Sequence, residues 1–156
     1  TKLPFDVHLM IEEPEKSAER FIKAGADFLT IHVEATTKPG HVLRMIRDLG
    51  CKPGITLRPQ TDLKAIEAHL SLVDLVLVMT VSPGWGGQAF MPEQVEKVKF
   101  LKKWSTDHNP NLWIEVDGGI NAETAKVCRD AGANAFVAGN FIYRSEDYAK
   151  AISALR

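Results

Sequence analysis

The chain has 156 residues, 45% of them hydrophobic and 25% charged, with 19 Lys and Arg against 20 Asp and Glu. That composition is ordinary for a globular protein and excludes a disordered tail, a collagen-like chain and a disulfide-built miniprotein. A net charge of −1 leaves no general electrostatic footprint for nucleic acid or an anionic membrane, and the length suits one domain with a sizeable core.

The chain opens at Thr1 and runs straight into Leu3-Pro4-Phe5-Asp6-Val7-His8-Leu9-Met10, which reads as a strand over 5–10. A helix is expected over 14–24, with Pro14 in its first turn and Ala18, Phe21 and Ile22 on one face. A second strand over 28–33 is followed by a helix over 41–49 with Val42, Met45, Ile46 and Leu49 at helical spacing. A third strand over 54–57 leads to Thr61, which can cap a helix carrying Leu63, Ile66 and Leu70. The fourth strand, over 75–81, precedes a helix opened by Pro92 and carrying Val95, Val98 and Leu101. The fifth, over 113–116, precedes a helix opened by Asn121 with Ala125, Val127 and Cys128. The sixth, over 135–138, precedes one opened by Ser145 with Tyr148, Ile152 and Leu155. Gly25, Gly50 and Gly132 each end a helix just before a strand, where a left-handed residue is needed.

Strands alternating with helices six times imply a parallel sheet with right-handed crossovers. An open doubly wound sheet and a (β/α)8 barrel compete. An open sheet buries both faces of its central strands in apolar residues. Here Phe5, Val7 and Leu9 alternate with Asp6, His8 and Met10, and Leu112, Ile114 and Val116 alternate with Trp113, Glu115 and Asp117. An apolar face toward helices and a mixed face toward an interior favour the TIM barrel. That fold needs eight βα units and six are legible. We therefore expect residues 1–156 to be a single (β/α) barrel domain lacking its first two βα units, about 60 residues at about 30 per βαβ unit.

Cys51 and Cys128 stand apart from any CxxC or Cys/His cluster, so a reducing, cytoplasmic setting and structural thiols are expected. No apolar run reaches the roughly 18 residues of a membrane span.

The chemistry-bearing segments lie at strand ends. Ser82-Pro83-Gly84-Trp85-Gly86-Gly87-Gln88 follows the fourth strand, Asp117-Gly118-Gly119-Ile120 the fifth, and Gly139-Asn140 the sixth. Glycines allow backbone N–H groups close to an anion, and barrel enzymes often bind phosphate with their last loops. The alternative is that each glycine only turns the chain. His8 on the polar side of the first strand and Asp117 after the fifth could be half of a metal site, since imidazole and carboxylate suit zinc, iron or manganese. His32 is expected in a structural or outer role, and His41, His69 and His108 in solvent. Met10 and Met79 read first as barrel filler.

Three long motifs, Asp6-Val7-His8-Leu9-Met10, Met79-Thr80-Val81-Ser82-Pro83-Gly84-Trp85-Gly86-Gly87-Gln88 and Glu115-Val116-Asp117-Gly118-Gly119-Ile120, resemble the ribulose-phosphate 3-epimerase family in order and spacing. The resemblance implies the third to eighth βα units of a (β/α)8 barrel and a metal-dependent isomerase that interconverts D-ribulose 5-phosphate and D-xylulose 5-phosphate. It implies His8 and Asp117 as ligands of a divalent metal ion (Zn, Fe, Mn or Co), with Asp117 also one of two acid/base carboxylates. It implies sugar-phosphate contacts from His8, Gly84, Trp85, Gly86, Gly87, Asp117, Gly118, Gly119, Gly139 and Asn140, and Met10 and Met79 as caps on the reacting carbons. It further implies a homo-oligomer. Ser82, Trp85 and Asn140 depart from the Asn, Phe and Ser usual in the family, which bears most on the phosphate contact of Asn140. The family's amino end supplies a serine, a metal-binding histidine and the second catalytic aspartate, so the sequence as written is expected to be inactive alone. The same motifs would serve a D-allulose 6-phosphate 3-epimerase or a non-catalytic phosphate-binding barrel fragment.

Overall fold

The computed structural model describes residues 1–84 and 87–156. Trp85 and Gly86, both expected in the phosphate segment, lie outside the described residues. The chain divides into two compact units, Thr1–Leu77 and Val78–Arg156.

The first unit contains β1 (Asp6–Leu9), α1 (Ala18–Lys23), β2 (Phe28–His32), α2 (Pro39–Asp48), β3 (Lys52–Leu57) and α3 (Lys64–Glu67), and ends inside β4 (Leu75–Met79). β1 pairs with β2 and β2 with β3, both in parallel. The register sets His8 beside Thr30, Thr30 beside Gly54 and His32 beside Thr56. Residues paired across parallel strands share a face, and alternate residues along a strand share it too. His8, Thr30, His32, Gly54 and Thr56 therefore make one polar face. Leu9, Leu29, Ile31, Ile55 and Leu57 make the other, which is buried together with Val42, Leu43 and Ile46 of α2, Ile66 of α3 and Leu70. Gly54 has a steric cause: a Cβ there would run into the side chain of Thr30.

The second unit holds the end of β4, then α4 (Val95–His108), β5 (Trp113–Asp117), α5 (Ala122–Ala131), β6 (Ala135–Val137), α6 (Gly139–Tyr143) and α7 (Tyr148–Ala154). β5 and β6 pair in parallel with Asp117 beside Val137. Asn134 seals their start. Its Oδ1 accepts from Ile114 N–H at 2.7 Å and its Nδ2 donates to the Leu112 carbonyl at 3.1 Å. Val98, Leu101, Leu112, Ile114, Val116, Ala125 and Cys128 fill the interior.

Several elements differ in detail from their sequence pattern. The segment 14–24 is a 3₁₀ turn, Pro14–Lys16, and then α1, because Ser17 (φ −124°) interrupts the helix. Phe21 there is 39% exposed, whereas Ala18 is buried. Leu63, not Thr61, takes the N-cap position of α3; the Thr61 hydroxyl donates to Glu34, and α3 is a single turn followed by the 3₁₀ turn Leu70–Leu72. Ile66 and Leu70 are buried all the same. α7 is capped by Asp147, whose side chain accepts from Lys150 N–H at 2.9 Å, and not by Ser145. Asn121 does cap α5, through a capping box with Thr124. Gly25, Gly50 and Gly132 all sit at positive φ, 111°, 84° and 114°, as the helix-to-strand joints require. Cys51 and Cys128 are free and buried.

Candidate active site

In the first unit the site residues lie at the ends of β1 and β2. His8 is half-buried, and burial, then the neighbouring His32 ring, push its pKa down to about 4. It is therefore a neutral imidazole at pH 7, the form that ligates a metal. Its Nε2 lies 2.8 Å from Nε2 of His32. His32 is buried, and its Nδ1 stands 3.4 Å from Oε2 of Glu34. Glu34 is fixed in turn: its Oε1 accepts from the Arg58 N–H at 2.8 Å and from the Thr61 hydroxyl. Met10, just beyond β1, is 51% exposed.

In the second unit the site residues lie at or just after the ends of β4, β5 and β6. Thr80 joins the first two of these strand ends. Its N–H and hydroxyl both donate to the Asp117 carbonyl, at 2.8 and 2.9 Å, and the hydroxyl also reaches the Gly118 carbonyl at 2.7 Å. A Cβ at Gly118 (φ +123°) would stand 2.8 Å from Val81 N, and one at Gly119 (φ +65°) 2.8 Å from Phe90 N. These two positions demand glycine because β5's exit packs directly on the segment after β4. Gly87 (φ +82°) lies beside Asn140, whose Nδ2 would be 3.6 Å from a Cβ there. Gly84 and Gly139 face open space, and Gly139 with Asn140 begins α6. Among the described residues, glycines from all three strand ends thus lie within this unit, and two pairs of segments touch there.

Asp117 is half-buried at the end of β5, and burial pushes its pKa up. Its carboxylate has no ion-pair or hydrogen-bond partner among the described residues. Met79 is buried, at 2% exposure. Its neighbour Thr80, which fixes Asp117, was not singled out by sequence reasoning, and neither was Glu34. A threonine in a strand is an ordinary β-former, and only the three-dimensional pairing reveals its role. The pattern Ile31-His32-Val33-Glu34 did hold a signal, since alternation places His32 on the face of His8.

A neutral half-buried imidazole and a half-buried carboxylate without a partner among the described residues are each suited to a divalent metal ion, which takes nitrogen and oxygen donors and supplies the missing charge partner. His8 and Asp117 thus each fit a metal ligand by donor type. Among the described residues no group of three or more His, Cys, Asp or Glu side chains gathers to hold one. No helix among them is long and apolar enough to cross a membrane.

The chain was compared with known proteins. A family model described as the ribulose-phosphate 3 epimerase family matches residues 1–143. The chain is 48% identical to the chloroplastic ribulose-5-phosphate-3-epimerase of Arabidopsis thaliana, covering all of this chain and 56% of that protein. It is 46% identical to the ribulose-phosphate 3-epimerase of Bacillus subtilis, covering all of this chain and 72% of that protein. The chain thus spans between about half and about three quarters of the length of these two relatives. Among solved structures, KGPDC from Streptococcus mutans matches with a TM-score of 0.74 at 18% identity, over 99% of this chain and 70% of that one. A 3-hexulose-6-phosphate synthase matches with a TM-score of 0.68 at 20% identity, over 93% of this chain and 68% of that one. These likenesses concern the fold, which is that of a (β/α)8 barrel with six βα units in this sequence. By the family match over residues 1–143 and by relatives at 46–48% identity along its whole length, the chain belongs to the ribulose-phosphate 3-epimerase family.

Proposed function

We propose that the protein interconverts D-ribulose 5-phosphate and D-xylulose 5-phosphate by moving a proton at C3. The observation that carries this is Asp117, a half-buried carboxylate without a protein partner among the described residues, held at the end of β5 inside the family's Glu115–Ile120 motif. Its main chain is pinned by Thr80, so its carboxylate has a fixed origin from which to reach a substrate. The C3–H of the sugar phosphate lies next to the C2 ketone and is the acidic bond of the molecule. Asp117 takes or returns that proton on one face of the planar enediolate. Inversion requires a second carboxylic acid on the opposite face.

His8 and Asp117 would hold a divalent ion (Zn, Fe, Mn or Co). When bound, such an ion supplies Lewis-acid stabilisation of the negative charge that develops on the substrate oxygens. Backbone N–H groups of Gly84, Gly87, Gly118, Gly119 and Gly139, with Asn140, receive the phosphate; the open space at Gly84 and Gly139 supports this. Trp85 and Gly86 would complete that cradle. Met10 and Met79 would lie against the reacting carbons, adding polarisable contact without a competing proton donor. As a domain we read the 156 residues as six of the eight βα units of one barrel, acting in the cytoplasm, where two free buried thiols such as Cys51 and Cys128 are at home. We also read it as a homo-oligomer, which sedimentation of the purified protein tests.

The test is solvent exchange. Full-length protein in D2O with ribulose 5-phosphate and added zinc, iron or manganese should place deuterium at C3, and Asp117→Asn should abolish this. No exchange by the full-length wild type defeats the epimerase reading. Exchange into a six-carbon ketose phosphate alone would instead assign the hexulose substrate.

A further inference from the structure

His32 belongs to no role given so far, yet its ring is buried between His8 and Glu34. Its Nδ1 lies out of water and accepts or donates no hydrogen bond among the described residues. The nearest charge is Oε2 of Glu34 at 3.4 Å. Burial opposes ionisation of Glu34, but donation from Thr61 and from the Arg58 N–H outweighs it and holds the carboxyl below its usual range. A bare Nδ1 lone pair facing that carboxylate would set two electron-rich atoms against each other in a buried place. A proton on Nδ1 turns the same contact into attraction. His32 is therefore the Nδ1–H form, and its Nε2 carries only a lone pair.

The consequence falls on His8. Two Nε2 atoms 2.8 Å apart need one proton between them. His32 has none to give on that side, so it comes from His8. A neutral imidazole with its proton on Nε2 has Nδ1 free as a donor atom. Were the relay reversed, His8 would carry its proton on Nδ1 and spend its Nε2 lone pair on His32, leaving no nitrogen for a metal.

We propose that Glu34 and His32 form a positioning relay that fixes His8 in the Nε2–H tautomer and presents its Nδ1 as the ligating atom. The relay rests on the reading of His8 as a metal ligand. It is the outer layer that orients a ligating histidine through its other nitrogen, extended here by a second imidazole. Thr61 and the Arg58 N–H anchor it to the segment after β3.

The experiment is long-range proton–nitrogen correlation on metal-free, full-length protein labelled with ¹⁵N-histidine, paired with zinc titration calorimetry without any sugar. The expected spectrum shows His8 protonated on Nε2 and His32 on Nδ1. Glu34→Gln and His32→Leu should each weaken zinc binding about 10- to 100-fold, and His32→Gln, whose side-chain oxygen still accepts from His8, should recover part of the loss. A His8 proton on Nδ1 overturns the proposal, as does zinc affinity within about twofold of wild type in both Glu34→Gln and His32→Leu. Should a variant fail to fold, the wild-type spectrum alone decides. Neither readout uses substrate, so an inactive wild type with the expected spectrum would defeat the epimerase reading while leaving the relay standing.

Discussion

Gly118 offers the sharpest quantitative prediction. Replacing it with Ala meets two separate obstacles. Its φ of +123° is a conformation that a residue with a Cβ adopts only under strain of about 1–3 kcal/mol. The added methyl group would also lie 2.8 Å from Val81 N and 2.7 Å from Val81 Cγ1. Relieving such overpacking in a buried place costs about another 1–3 kcal/mol. The sum, about 2–6 kcal/mol, is a large part of the 5–15 kcal/mol that holds an ordinary domain together. With a urea dependence of about 2 kcal/mol per molar, the unfolding midpoint should fall by about 1–3 M. Gly25 supplies the control. It has nearly the same φ, +111°, but nothing within 4 Å of the Cβ position. Gly25→Ala should therefore show the backbone strain alone, about 1–3 kcal/mol. Urea unfolding of both variants, followed by circular dichroism, separates the two effects. If Gly118→Ala costs no more than Gly25→Ala, the close packing between the exit of β5 and Val81 has been misjudged.

Three further predictions follow from other parts of the structure. Asn121→Ala removes the capping box of α5 and should cost about 0.5–2 kcal/mol in thermal unfolding; an unchanged melting temperature would show the cap to be idle. Leu101→Ala, which opens a cavity beneath α4, should cost about 2–5 kcal/mol, measured as a shift of the urea midpoint. Burial pushes the Cys128 thiol up to about 11 from 9.0, so the folded protein keeps its proton at a pH where the unfolded chain has lost it. The stability from this group is present below about 9 and lost as the pH rises through about 11. Cys128→Ala should flatten the alkaline loss of stability, and a thiol reagent at pH 8 should label wild-type Cys128 only as fast as the protein opens.

Much of the fold was legible because its signals are local. The helix-ending glycines Gly25, Gly50 and Gly132 depend on a single dihedral angle, and all three carry it. The six strands stood out because β-branched and apolar residues alternate over short runs between turn residues. The errors arose where a local rule met a tertiary competitor. Thr61 has the chemistry of a cap, but Glu34, in the 3₁₀ turn Val33–Ala35 after β2, takes its hydroxyl, and α3 is a single turn. Ser17 sits mid-pattern and breaks a helix that periodicity would continue. Val127 shares a helix with buried Ala125 and Cys128 yet is 48% exposed, because the apolar spacing there is not helical. In the site, the motif residues His8 and Asp117 could be named because a carboxylate and an imidazole at strand ends are conspicuous. Thr80 and Glu34 could not, since their role lies in hydrogen bonds to residues 37 and 24 positions away. His32 lay between these cases: visible by alternation, but with a purpose that only the 2.8 Å contact reveals.

The segment between Thr80 and Met91 is tied at its base, where the Met91 N–H donates to the Thr80 carbonyl at 2.9 Å. Inside the base, Gln88 Nε2 donates to the Ser82 carbonyl at 2.6 Å. A loop whose two ends are clasped in this way behaves as a cassette. Between these ends the loop can change in length and residues while Val81 and Phe90, which pack on Gly118 and Gly119, keep β5 and the anchor on Asp117 in place. On the function proposed above, a transplanted stretch between these ends would change the choice of sugar phosphate while leaving the Asp117 carboxylate as it is. The fold would owe this exchangeability to the backbone hydrogen bond at the neck together with the packing of Val81 and Phe90 on the exit of β5.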